Sequence, residues 1–430
     1  MQETYSWPWV ESQVAQTIEV WNGCAGQPAL GGARYTRDEQ KKREKAYDKE
    51  LRTVEREAKR SPRTRAERLE AQARITASFA QFSAAALDLQ GDAVQLLTDD
   101  FLPVGQELAR WARRFDESLS MADIVQASRN AWTACGLQPL LGQRVELTPS
   151  ILGYSLLYPY TDNLLDRVDV STEAKRSFSE RFRERLKGEP IAAQTTHECA
   201  LWALVELIEG QYSRTDYPQV FDCLLAIHRA QEDSVAQLSC AGTDPNADIL
   251  RVSCAKGGSS VLADACLARG WLSEQESRFA FEWGVLLQLG DDLQDVSDDL
   301  QRGSVTLFSR AAAHGIPLDE LATQLLSFSE SVGARMDGLP GASAMLKDLL
   351  RMSWRSLIVG AVADSHTYFT RAFLQETERS SPFRFDFLRA RRKRMTSRQG
   401  LFVTLFDAFL EAPEEDDDKL PLPVPVLAAV

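Results

Sequence analysis

The chain has 430 residues, 44% of them hydrophobic and 26% charged, enough apolar side chain for a sizeable core in one large domain or two. A net charge of −13 and a pI near 5.0 argue against general nucleic-acid binding. Seven cysteines without a Cys-x-x-Cys pair read as reduced thiols. No run approaches the ~18 apolar residues of a membrane span and no basic-then-apolar leader is evident, so a cytoplasmic protein without stable membrane insertion is expected.

Leu, Ala, Glu, Arg and Gln dominate long segments while alternating β-branched runs are few, which predicts an all-α fold. Residues 1–33 hold Trp7, Trp9, Trp21, Gly31 and Gly32 and read as an irregular arm whose tryptophans pack back on the body. Residues 34–74 are a charge run of mixed sign at i,i+4, a solvated helix interrupted near Ser61-Pro62. Residues 1–74 are therefore expected to form an arm and a charged helical extension. From Ile75 to about 410 the pattern is that of packed helices. They are expected at about 75–90, 99–118, 121–135, 150–169, 172–187, 194–212, 217–240, 246–269, 273–301, 317–337, 342–379 and 396–411. Arg389–Arg398 is a short basic patch, and 411–430 is an acidic, then Pro-rich tail with the composition of a disordered segment.

Two of these helices carry repeated carboxylates. In residues 279–307, at about 100° per residue, Gly284, Gln288, Asp291, Asp295 and Asp299 share one stripe of a single long helix. Upstream, in ILGYSLLYPYTDNLLDRVDV, Tyr154, Tyr158, Asp162 and Asp166 repeat every four residues, with Pro159 expected to kink or restart the helix. An isolated acidic pair reads as a solvated face. Two such pairs on largely apolar helices point instead to a divalent-metal site, because unneutralised carboxylates there are costly.

Aspartates are hard oxygen ligands, and Mg²⁺ takes one or two of them while completing its shell with water and phosphate oxygens. Opposed Asp pairs therefore suit metal ions bridging the protein to a diphosphate, where they stabilise charge on the leaving group. An EF-hand loop, a di-iron bundle and a His-rich zinc site each lack their required residues here.

The run from Ile249 to Leu307 resembles the second half of class I isoprenoid synthases, most of all the trans-prenyl diphosphate synthases. WGVLLQLGDDLQD is similar to their Gly-x-x-x-Gln-x-x-Asp-Asp-x-x-Asp pattern at Gly284, Gln288, Asp291, Asp292 and Asp295. Lys256 matches a Lys that precedes small residues, and TDNLLDR resembles a reduced first Asp-rich motif with Asn163 where a second Asp is common. The Lys usual in the loop that follows is replaced by Ser304. The resemblance implies a helical bundle around a central cavity, with residues 75–410 as the synthase domain. It further implies Asp162, Asp166, Asp291, Asp292, Asp295 and Asp299 holding about three Mg²⁺ ions that bind a prenyl diphosphate. Lys256, Arg167, Arg251, Gln288 and Arg302 are its implied diphosphate-side residues, and dimers are common in this fold. Gly257-Gly258 are expected to loosen a helix beside the cavity.

Within this superfamily the chain lacks convincing basic motifs for a second diphosphate: Lys175-Arg176 is the only near pair after the first Asp motif. This favours a Mg²⁺-dependent terpene synthase, which ionises one allylic diphosphate and turns the carbocation into a terpene, cyclic in the favoured reading. Tyr154, Tyr158 and Trp202 are candidate lining residues of its pocket, although ordinary helix packing is the stronger reading for Trp202. Asp291, Asp295 and Asp299 also match the one-five-nine spacing of the metal motif in such enzymes. The alternatives are a prenyl transferase making a longer or head-to-head product and a helical scaffold without catalysis.

Overall fold

Helices begin where the sequence offers a cap. Thr64, Ser120 and Ser273 each accept from the backbone N–H three residues on, while Glu67, Asp123 and Glu276 reach back to the cap N–H. Gly188 and Gly303 end helices in the left-handed region, where a Cβ would be strained.

The computed structural model describes residues 7–27, 33–60, 62–89, 91–166, 170–237 and 245–397, and no strand occurs among them: the fold is all-α. The order is α1 (Trp7–Gly23), α2 (Arg37–Arg60), α3 (Arg65–Leu87), α4 (Gly91–Gln95), a π-helical turn (Leu96–Phe101), α5 (Leu102–Phe115), α6 (Met121–Leu140) and α7 (Pro149–Asp166). There follow α8 (Thr172–Lys187), α9 (Thr196–Gln211), α10 (Pro218–Gln237), α11 (Pro245–Arg269), α12 (Glu274–Gln294) and α13 (Val296–Arg302). The chain continues through α14 (Leu307–Ala313), α15 (Asp319–Asp337), α16 (Ala344–Asp364), α17 (Arg371–Arg379) and α18 (Phe385–Ser397). No described helix is long and apolar enough to cross a membrane.

The core is organised around α11, which packs on α1, α6, α7, α10 and α12. Its small and apolar residues Leu262, Ala263, Ala265, Cys266 and Leu267 are wholly buried, which lets five helices approach one axis. Closest of all is α12, because glycines meet at the crossing. A Cβ on Gly284 would lie 2.0 Å from the Gly257 carbonyl oxygen, and one on Gly258 would lie 2.4 Å from Phe281 Cζ. The expectation that Gly257-Gly258 loosen α11 is therefore corrected. The helix is continuous, and the glycines serve backbone contact with α12.

Other expectations also change. Residues 7–23 form a regular helix rather than an irregular arm, because Val10, Val14 and Trp21 repeat at helical spacing and sink into the core beside α11 and α15. The expected boundary at 74/75 falls inside α3. Pro159 does not interrupt α7. The expected single helix 273–301 divides at Asp295 into α12 and α13.

The charge run and the basic patch find each other. On α2, Glu44, Asp48 and Glu55 pair with Arg384, Arg391 and Arg394 of the α18 region at 2.6, 2.6 and 2.8 Å. Arg389 and Arg392 pair with Asp386 and Asp364. Between α2, α3 and α18 lies a small aromatic cluster in which Tyr47 meets Phe82, Phe383 and Phe387 edge to face. Gly31, Gly32, Arg167, Asp169 and the tail 411–430 lie outside the described residues.

Candidate functional site

Register decides whether the two Asp-bearing helices can cooperate. Ser150 at the start of α7 donates to the Leu267 carbonyl at 3.2 Å, and the Tyr154 hydroxyl donates to the Ser260 carbonyl at 3.3 Å. Asn130 of α6 donates to both Ser155 (3.2 Å) and Asp264 (3.0 Å), which sets those two residues at one level. So α7 runs opposite to α11. Extended along α7, these pairings carry positions 162 and 166 to the stretch of α11 that holds Ser253. Ser253 in turn donates to Asp292 Oδ2 at 3.0 Å. The C-terminal end of α7 and the aspartates of α12 thus arrive at the same end of the bundle. The side chains of Tyr158, Asp162 and Asp166 lie outside the described residues.

On α12 the carboxylates have different surroundings. Asp292 is buried, accepts from Gln288 Nε2 at 2.8 Å as well as from Ser253, and burial pushes its pKa up to about 7. Partial burial raises the pKa of Asp291. Arg129 of α6, 3.8 Å away, opposes that rise, while the neighbouring Asp295 adds to it. Asp295 is exposed at the break between α12 and α13. Asp299, on α13, is pushed up to about 6 by burial and by Asp295, against a weak hydrogen bond from Thr306 at 3.4 Å. The result is a row of oxygen donors in which burial, and the charge of Asp295 beside Asp291 and Asp299, work against ionisation, the condition that a bound cation relieves. Among the described side chains no group of three or more such donors is already gathered.

The diphosphate-side candidates divide. Lys256 is half-buried on α11 and acts electrostatically on both Asp291 and Asp292. Gln288 is engaged with Asp292, and its Cβ faces Gly257 across the helix crossing. Arg302 is exposed in the last turn of α13, close enough to Asp299 to lower its pKa. Arg251 is turned to α1, where it pairs with Glu11 at 2.9 Å. Trp202 is a packing residue, donating to the Ile191 carbonyl and stacking on Phe182.

Below the first Asp helix, Tyr154, Leu157, Thr161, Phe182, His228 and Gln231 border a cavity of about 30 Å³. That is room for about one water molecule. A hydrocarbon chain entering there requires these side chains to move.

Arg129, Ser253 and Thr306 were not among the candidates read from sequence. Ser253 had a signal, lying one helical turn before Lys256 on the same face. Arg129 had none, since its helix carries no motif and meets Asp291 only through the packing of α6.

No family model, curated protein or solved structure matches the chain.

Proposed function

We propose that this protein is a Mg²⁺-dependent class I terpene synthase, taking one allylic prenyl diphosphate and releasing diphosphate and a terpene. The observation that supports this reading is the register of α7, α11 and α12, which brings the C-terminal end of α7 and the aspartates of α12 to one end of an all-α bundle. The Asp-only donor set, with Asp295 acting electrostatically on both Asp291 and Asp299, fits a hard divalent cation. Bound there, Mg²⁺ would neutralise the leaving diphosphate.

In this reading Asp162, Asp166, Asp291, Asp295 and Asp299 hold the metal ions. Buried Asp292 fixes the end of α12 through Ser253 and Gln288, and Lys256 draws the diphosphate. Arg129 holds Asp291 in place. The aromatic and aliphatic walls beneath α7 keep water from the cation formed.

The test is turnover of the full chain with Mg²⁺ and prenyl diphosphates of about ten to twenty-five carbons, each with and without isopentenyl diphosphate. Hydrocarbon or alcohol from a single diphosphate is the expected product. A longer diphosphate that needs isopentenyl diphosphate would make the protein a prenyl transferase. No consumption of any substrate would leave the scaffold reading standing.

A further inference from the structure

Away from the aspartates, α10 and α11 run antiparallel. Just past the end of α11, the Leu272 backbone N–H donates to Gln219 Oε1 of α10 at 2.8 Å, and Gly270 packs against Tyr217. One turn further in, the side chains of Cys223 and Cys266 meet, with their sulfurs 3.0 Å apart. Both residues are wholly buried. That approach is tighter than ordinary contact between sulfurs, and a disulfide bond is only about 1 Å shorter. No other pair of cysteine sulfurs meets among the described residues: Cys24 faces Ser331, and Cys135 faces the Glu146 carbonyl.

A cysteine that only fills space acts as a small apolar side chain and needs no second sulfur opposite. Here two helices each place one at the same level, with the thiols reduced. We propose that Cys223 and Cys266 are a redox pair that closes into a disulfide between α10 and α11, with a hydroperoxide as oxidant. One sulfur takes OH from hydrogen peroxide as the O–O bond breaks, giving a sulfenic acid, and its thiol proton leaves with the other oxygen as water. The second sulfur then attacks the sulfenic sulfur. The S–S bond forms as S–O breaks, and the departing hydroxide takes the second thiol proton as a second water. Two thiols are oxidised by two electrons, and one peroxide is reduced to two waters.

Burial selects the oxidant, which must be small and uncharged to reach the pair. A cavity with room for about one water molecule borders the same stretch of α10, at Leu224 and Ile227. Burial and the neighbouring sulfur also push the Cys223 thiol well above its usual pKa, so closure is slow beside that of an exposed pair. The bond would tie the central helix to α10 at a point ~15 Å along α11 from Lys256, so it acts on the fold and leaves the acidic end alone.

The test is peptide mapping of the full chain. The reduced protein is treated with hydrogen peroxide over minutes to hours, its remaining thiols are alkylated in denaturant, and its tryptic peptides are weighed. Trypsin leaves each cysteine alone on its peptide, residues 215–229 and 257–269. The expected product is these two peptides joined, two hydrogens lighter than their sum. Thermal unfolding of the oxidised chain should shift upward, because the bond closes residues 223–266 into a loop in the unfolded state. Cys223→Ser and Cys266→Ser should each lose the joined peptide and the shift, while Cys199→Ser keeps both. Recovery of both peptides singly alkylated, after the half-buried Cys199 has been oxidised, would overturn the proposal. So would the joining of either cysteine to a different one, or joining that occurs only when the chain is unfolded.

Discussion

Two aspartates with raised pKa values show how differently one residue type can be used. Asp264 is a buried residue of α11, accepts one hydrogen bond from Asn130, and has no partner for Oδ2 among the described residues; burial holds its pKa well above the usual carboxylate range. A group whose folded pKa is raised stabilises the fold fully below its unfolded pKa, near ~4, and loses that contribution as pH rises through the folded value. Asp264→Asn removes the titration. Its stability relative to the unaltered chain should therefore grow from about pH 4 to 7, by at most about 1.4 kcal/mol per pH unit, as read by urea unfolding at several pH values. A constant difference across that range would mean that Asp264 does not titrate on unfolding. Asp291 is also raised, but it is half-exposed beside Asp295 and Arg129 at the acidic end. Asp291→Ala and Asp162→Ala are each expected to lower diphosphate release about 100-fold or more with the helical circular dichroism intact. Normal turnover in either variant would remove the metal assignment. The spacing of Asp291, Asp295 and Asp299 was legible because a helix maps sequence onto a stripe. The break at Asp295 and the approach of Arg129 were not, since both depend on what packs alongside.

At the scale of elements, the α11–α12 crossing is the most demanding contact near the site. Gly284→Ala would set a methyl 2.0 Å from the Gly257 carbonyl oxygen and 3.0 Å from Gly258 Cα, both on a helix backbone that has no rotamer to change. The helices must separate. The expected cost is about 3 kcal/mol, at the upper end of ordinary overpacking, against a gain of about 1 kcal/mol in helix propensity. Chemical denaturation would give the net loss, and a variant as stable as the unaltered chain would show that the crossing can relax. Here the sequence was legible in one sense and misleading in another. The Gly pair stood out, but a glycine can give a backbone freedom or give a neighbour room, and only the helix opposite tells which. The same limit hid α1 and α18. Val10, Val14 and Trp21 lie in a segment whose glycines and tryptophans read as irregular, and the arginines of α18 read as a free patch until α2 supplied their partners.

Taken whole, the molecule is acidic, with a net charge of −13, and its proposed substrate is a polyanion. Lys256 and exposed Arg302 are few positive charges to set against a diphosphate among Asp291, Asp292, Asp295 and Asp299. Anion binding at this end of the bundle should therefore depend on the cation, and the two ligands should be linked. Thermal unfolding of the full chain measures this directly. Inorganic diphosphate alone is expected to leave Tm unchanged, and Mg²⁺ alone to move it little. Together, at about a hundred times their apparent Kd, they should add about 2.7 kcal/mol, a rise of about 3 °C for a chain of this size. Asp295→Ala should lose that rise while keeping its own Tm, because Asp295 is exposed and the contacts found for it are electrostatic. An equal rise with diphosphate in the presence of a chelator would assign the anion to the basic residues alone. No rise with both ligands would mean that the acidic end of the bundle is a solvated surface, and the proposed chemistry would lose its site.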